Sequence, residues 1–199
     1  MIYPKYNIKL IILNNKYNKD IYNIFIMAFN NKNRIQSKSN RDDNVYMLSV
    51  ITKNVILPIV DVGKHIKNNL EKHIKYKIEG KCIPEGYIKP NSINILTYSA
   101  GKVNNGFVEF TTVIECLICH PVEGMVINCT VKTITKAGIH AEFTDEHNNV
   151  PLVIFIAKDH HYENPLFANV KETDKIKASI IGCRFELNDP NISAIASLV

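Results

Sequence analysis

The amino-acid sequence predicts a small α+β unit followed by an all-β, five-stranded barrel. Three observations predict it. In the first half, Val62, Ile66, Leu70 and Ile74 recur at four-residue spacing between runs of β-branched residues. In the second half, five short β-branched runs alternate with turn residues. Charge divides with these patterns: the net formal charge is +5 over residues 1–45, +3 over 46–120 and −3 over 121–199. A chain of 199 residues is long enough for one domain or two small ones, each with a packed core.

Taken in order, residues 1–45 read as an Asn- and Lys-rich extension that is expected to be partly disordered. Its polar run NNKNRIQSKSNRDDN (30–44) has no periodicity that could bury a face and reads as a linker. The run IYNIFIMAF (21–29) fits a short strand or helix. From Tyr46, YMLSVITKNVIL (46–57) is a strand stopped by Pro58. DVGKHIKNNLEKHI (61–74) is an amphipathic helix with Asp61 as its N-cap and Lys64, Lys67, Asn68, Glu71 and Lys72 on the polar side. YKIEGKCI (76–83), the loop PEGYIKPN (84–91), INILTYSA (93–100), the turn GKVNNG (101–106) and FVEFTTVIECLICH (107–120) complete a unit in which one helix covers an antiparallel sheet.

Beyond Pro121 come GMVINCTVKTITKAGIHAEF (124–143), the acidic turn TDEHNN (144–149), VPLVIFIA (150–157), an irregular connection (158–174), KIKASIIGCRFEL (175–187), the turn NDP (188–190) and ISAIASL (192–198). Five short strands with one long connection fit the Greek-key barrel known as the OB fold, and Gly124 and Gly138 suit its bends. Periodicity alone leaves a small sandwich open.

Composition narrows function by exclusion. Thirty Ile, 24 Asn and 21 Lys against three Arg and no Trp match A- and T-rich codons, so the overall charge of +5 is weak evidence for a polyanion partner. Five cysteines, an odd number with no secretory signal before them, point to a reducing compartment. The apolar runs 8–13 and 24–29 are far shorter than the ~20 residues of a spanning helix, so no membrane is expected. No glycine-rich phosphate loop, nucleophile elbow, H-E-x-x-H or carboxylate pair is present, so neither an enzyme nor a cofactor is expected. CLICH (116–120) matches the haem-attachment pattern C-x-x-C-H. Residues three apart on a strand point to opposite faces, however, so Cys116 and Cys119 are expected to pack as small apolar residues, with no metal bound. His160 and His161 lack a partner motif and read as loop residues, and His65 and His73 as edge positions on the helix.

An OB barrel stacks bases on exposed rings of its central strands and meets phosphates with rim cations. His140 and Phe155, with Lys136, Lys158 and Arg184, are the candidates for single-stranded RNA binding. The domain's −3 charge makes that binding weak.

Several motifs, in this order and spacing, resemble the stalk subunit of multisubunit DNA-directed RNA polymerases, called subunit seven in RNA polymerase II and present in archaeal polymerases as well. They are IEGKC (78–82), GYI (86–88), FVEFTTVIECLICHPVEGMV (107–126), ITKAGIHAEF (134–143), PLVIFIAKD (151–159) and IKASIIGCRFELNDPNISAIASL (176–198). The resemblance covers 46–199 and implies an α+β tip domain at 46–120 that docks on the polymerase core, followed by an OB-fold domain at 121–199 near emerging RNA. It implies a noncatalytic subunit, with core polymerase subunits and a small helical stalk subunit as partners. By position it places the core contact at Lys81, Pro84, Gly86 and Tyr87. His140 stands where the family usually carries an aromatic ring, and 1–45 has no family counterpart. The coding bias points to a large DNA virus or an AT-rich protist. The expected location is therefore the nucleus, or a cytoplasmic viral factory and the virion. The alternatives are a freestanding OB-fold RNA-binding or translation factor and, through CLICH alone, a cysteine metalloprotein.

Overall fold

A computed structural model describes residues 45–161 and 165–199. The chain divides into two units, Met1–Arg41 and Asp42–Val199, and the described residues belong to the second. The linker expected at 30–44 and the apolar run at 21–29 lie outside them.

Two long strands form the spine of the first sheet. β1 (Tyr46–Pro58) and β6 (Phe107–Cys119) pair antiparallel without a slip, from Tyr46 opposite Cys119 to Pro58 opposite Phe107. Along β6 every second side chain, from Val108 to Ile118, is buried on one face, the period-two pattern that pins a strand's register. Thr112 is the polar member of that row, and its hydroxyl donates to the Lys53 carbonyl at 2.8 Å. On its other edge β6 takes three short strands in turn: β3 (Gly86–Ile88), β4 (Asn94–Tyr98) and β5 (Lys102–Asn104), with β2 (Cys82–Ile83) outside β3.

Helix α1 (Ile66–Ile78) lies over the buried face, with Leu70 and Ile74 in the core and Ile66 and Ile78 packed at its margin. Three expectations are corrected here. Asp61 is not the N-cap. It closes a 3-10 turn at Ile59–Asp61, Val62 stays extended, and the helix starts at Ile66 behind His65, with no side-chain cap. The expected strand 76–83 shrinks to Cys82–Ile83, because the four-residue spacing continues to Ile78 and keeps the chain helical. The turn expected at 101–106 is a hairpin closed by Asn105–Gly106, with Lys102–Asn104 already paired.

The second half closes on itself. β7 (Val126–Ile134), β8 (Gly138–Phe143), β9 (Leu152–Ala157), β10 (Lys175–Arg184) and β11 (Ile192–Leu198) form a closed barrel in the order β10-β11-β9-β8-β7. All neighbours are antiparallel except β11 and β9, which the long connection through α2 (Pro165–Asn169) brings side by side in parallel. This order is compatible with the expected OB fold. The described residues are mostly β, with few helices.

Sheet and barrel share a core at their junction. The end of β6 runs between them, so Ile118 joins the sheet core while Cys119 joins the barrel core together with Val45, Cys82 and Tyr87. The junction is also laced by polar groups. The Tyr46 hydroxyl donates to Asp145 at 3.1 Å, Lys89 pairs with Glu146 at 3.0 Å, and the Cys82 backbone exchanges hydrogen bonds with Asn188 and Asp189 at 2.8 Å each.

Candidate functional site

The barrel interior takes Ile139 and Ala141 from β8, Ile154 and Ile156 from β9, and Ala194 and Ala196 from β11, so the residues between them face outward. Register then decides which outward residues become neighbours. His140 is opposite Phe155 across β8 and β9, and Phe155 lies beside Ile195 across the parallel pair β9 and β11. The His140 and Phe155 ring centroids are 4.8 Å apart with planes tilted by 46°. Gly138 makes room for this arrangement, because a Cβ there would stand 3.0 Å from the Phe155 ring and 2.3 Å from the Ile156 carbonyl. Ile195, 52% exposed, carries the apolar row one strand further. It was missed in the sequence, although the alternation of ISAIASL sets this one isoleucine at an outward phase among small residues.

The predicted cations divide. Lys136 lies in the β7–β8 turn, and the Lys158 amide donates to the carbonyl of Ala137 at 3.0 Å, so both lysines stand at one end of the His140–Phe155 pair, both exposed. Arg184 sits elsewhere, at the end of β10 opposite Ser193, and is already paired with Glu186 at 3.0 Å. Glu142, two residues beyond His140 on the outward face, is paired with Lys132 at 3.2 Å. The structure therefore assembles two rings, one aliphatic side chain and two lysines into one surface, with Arg184 at its other end, two strand positions from the partner of Ile195 and held by Glu186.

The loop expected to dock on a partner is mostly interior. Tyr87 is 3% exposed, pairs with Cys119 and packs in the barrel core, and burial first, then the Asp145 charge, pushes its hydroxyl pKa up to about 12. Gly86 is buried with φ 130°, and a Cβ there would meet the Cys119 carbonyl at 2.4 Å. These two are packing residues, because β3 is wedged between the end of β6 and the barrel. Pro84 is exposed, and Lys81 reaches the Lys77 carbonyl at 3.5 Å.

At the far end of the sheet lies an apolar cleft of about 430 Å³ lined by Ile59, Val62, Ile66, Tyr98, Val103 and Phe110, among others. Val103 is 66% exposed, and neighbouring Val60 85%. Sequence reasoning missed it, because its walls come from segments forty residues apart.

The cysteines and histidines are settled by burial. Cys116 is in the sheet core and Cys119 in the barrel core, on opposite sides of β6, and desolvation raises their thiols to about 11 and about 12. His161 is buried: one ring nitrogen contacts the Ala157 carbonyl at 2.9 Å, the other accepts the Leu198 N–H at 2.9 Å, and the ring stacks on Phe167. Among the described residues no three His, Cys, Asp or Glu side chains come together to hold a metal ion. No described helix is long and apolar enough to cross a membrane.

The geometry defines a two-part β protein: a one-helix sheet ending in an apolar cleft, and a closed barrel with an aromatic outer row. No family profile matches the chain. It is similar to a protein described as a DNA-directed RNA polymerase subunit of Acanthamoeba polyphaga mimivirus, at 29% identity over 160 residues, covering 72% of this chain and 76% of the relative. It is also similar to DNA-directed RNA polymerase II subunit 7 of Arabidopsis thaliana, at 26% identity over 111 residues, covering 55% of this chain and 60% of that protein. The chain is thus similar to DNA-directed RNA polymerase subunits, one of them a subunit 7, and the resemblance drawn from its motifs is borne out.

Proposed function

We propose that this chain is a noncatalytic stalk subunit of a DNA-directed RNA polymerase, with 46–120 as an α+β tip domain and 121–199 as an OB-fold domain. The similarity to two polymerase subunits, one viral and one cellular, carries the reading. The tip would dock on the core polymerase through the apolar cleft at the far end of its sheet, where exposed aliphatic side chains need cover. Of the residues first expected there, Lys81 and Pro84 remain available at the side of the sheet. A small helical subunit would complete the stalk. The barrel would contact emerging single-stranded RNA by stacking on His140, Phe155 and Ile195 with Lys136 and Lys158 near the backbone, and Arg184 adding little while Glu186 holds it. Work would take place in the nucleus, or in a cytoplasmic viral factory and the virion if the chain is viral.

Affinity purification at native level tests this. Recovery of the large polymerase subunits in stoichiometric amounts is the expected outcome. A chain recovered alone or with ribosomes would replace the stalk reading with that of a freestanding RNA-binding or translation factor.

A further inference from the structure

A second polyelectrolyte surface lies on α1, away from the barrel. The apolar positions Ile66, Leu70, Ile74 and Ile78 turn inward, which sends Asn68, Lys72 and Tyr76, again four apart, to the opposite pole. Tyr76 is 86% exposed, the most of any large apolar or aromatic side chain among the described residues, and a tyrosine ring held bare on a rigid helix offers a flat stacking surface. Two lysines flank it. Lys72, one turn before, and Lys77, next in sequence, form no ion pair among the described residues. The nearby carboxylates are engaged: Glu71 holds Lys75 at 2.7 Å, and Glu79 accepts the Ile93 N–H at 3.3 Å. Burial first, then the charge of Lys77, opposed by that of Asp61, holds His73 below the ordinary histidine value.

We infer that the outer face of α1 is a contact for single-stranded RNA, with Tyr76 stacking on a base and Lys72 meeting the adjacent phosphate. Charge complementarity selects a polyanion, and the exposed ring selects a strand whose bases are unpaired. The surface is separate from the outer row of the barrel and does not depend on RNA binding there.

The test uses the full chain and a fluorescently labelled oligouridylate of about 12 nucleotides, titrated at two salt concentrations. Tyr76→Ala is expected to weaken binding roughly tenfold while Tyr76→Phe stays near the wild type, as stacking rather than the hydroxyl requires. Lys72→Ala is expected to lower the slope of log affinity against log salt by about 0.7, the loss of one phosphate contact on a single strand. Lys171→Ala, an exposed lysine on the barrel half, serves as a control for charge alone. A loss at Tyr76→Ala no larger than at Lys171→Ala overturns the inference. So does an equal Tyr76→Ala loss against a duplex of the same length. Phe155→Ala measured in parallel separates the two surfaces: loss there without loss at Tyr76 removes the helix contact alone, whereas loss at Tyr76 without loss at Phe155 supports it and removes the barrel contact.

Discussion

The sheet and the barrel bury their apolar residues in opposite ways, and the leftover surface means something different in each. In the sheet, α1 covers one face, while β1 pairs with β6 alone among the described residues. Met47, Leu48, Val50 and Ile56 on β1, with Val103 and Phe107 at the far end, stay 40% exposed or more. The barrel has no open edge, its inward positions are filled, and its outward residues are ordered by register into one row. Exposure on the sheet thus marks apolar area that its own elements do not cover, which calls for a protein partner. On the barrel, exposed His140 lies beside half-buried Phe155 and exposed Ile195 on an otherwise closed surface, which suits stacking.

The comparison breaks first at the junction. Tyr87→Ala is expected to cost about 3–5 kcal/mol in urea unfolding, the usual penalty for deleting a buried ring, and to destabilise sheet and barrel together. Separate unfolding transitions for the two halves would show that the shared core couples them less than their packing indicates.

On the barrel, Phe155→Ala is expected to weaken RNA binding by about 1–3 kcal/mol with little change in stability, since the ring lies outside the closed core. On the sheet, Val103→Asp is expected to leave stability within about 0.5 kcal/mol, as at other exposed sites. It should weaken association with the polymerase core by about 1–2 kcal/mol, measured by competition pull-down. Exchange of these two outcomes, with Val103 mattering to RNA and Phe155 to the core, would reverse the assignment of the surfaces.

Smaller effects sharpen the junction and the rim. Burial raises the Asp145 carboxyl, but hydrogen bonds from the Asn149 side chain, the Asn149 and His147 amides and the Tyr46 hydroxyl outweigh it and hold its pKa below the ordinary 3.8. A depressed carboxylate contributes stability above its unfolded pKa and loses it as pH falls through the folded one. Asp145→Asn is therefore expected to cost about 1 kcal/mol near neutral pH, with the difference from wild type closing as the solution is acidified below 3.8, read from denaturant midpoints across pH. The smallest effect is expected at Arg184→Ala. Arg184 and Glu186 are 84% and 71% exposed in their side chains, so their pairing is worth little, and RNA affinity should change by less than about 0.5 kcal/mol.

What the sequence determined by itself was local and periodic. The alternation in FVEFTTVIECLIC placed β6 and set Cys116 and Cys119 on opposite sides, and the four-residue spacing from Val62 to Ile74 announced α1, though with its start four residues too early. Five β-branched runs with one long connection indicated the barrel, and His140 and Phe155 were both read as outward rings. These follow from side-chain direction along a single element, which depends only on neighbours in the chain. Tertiary structure alone decided the rest. Tyr87 reads as an exposed anchor in a Pro-Gly loop until β3 is seen wedged between β6 and the barrel. Ile195 joins Phe155 only because β11 lies parallel to β9, and the cleft exists only where the segments at 59–66 and 98–110 meet. Pairing register and the meeting of distant segments are set by which packing of the whole buries the most apolar surface, and that sum is not written in any one stretch of residues.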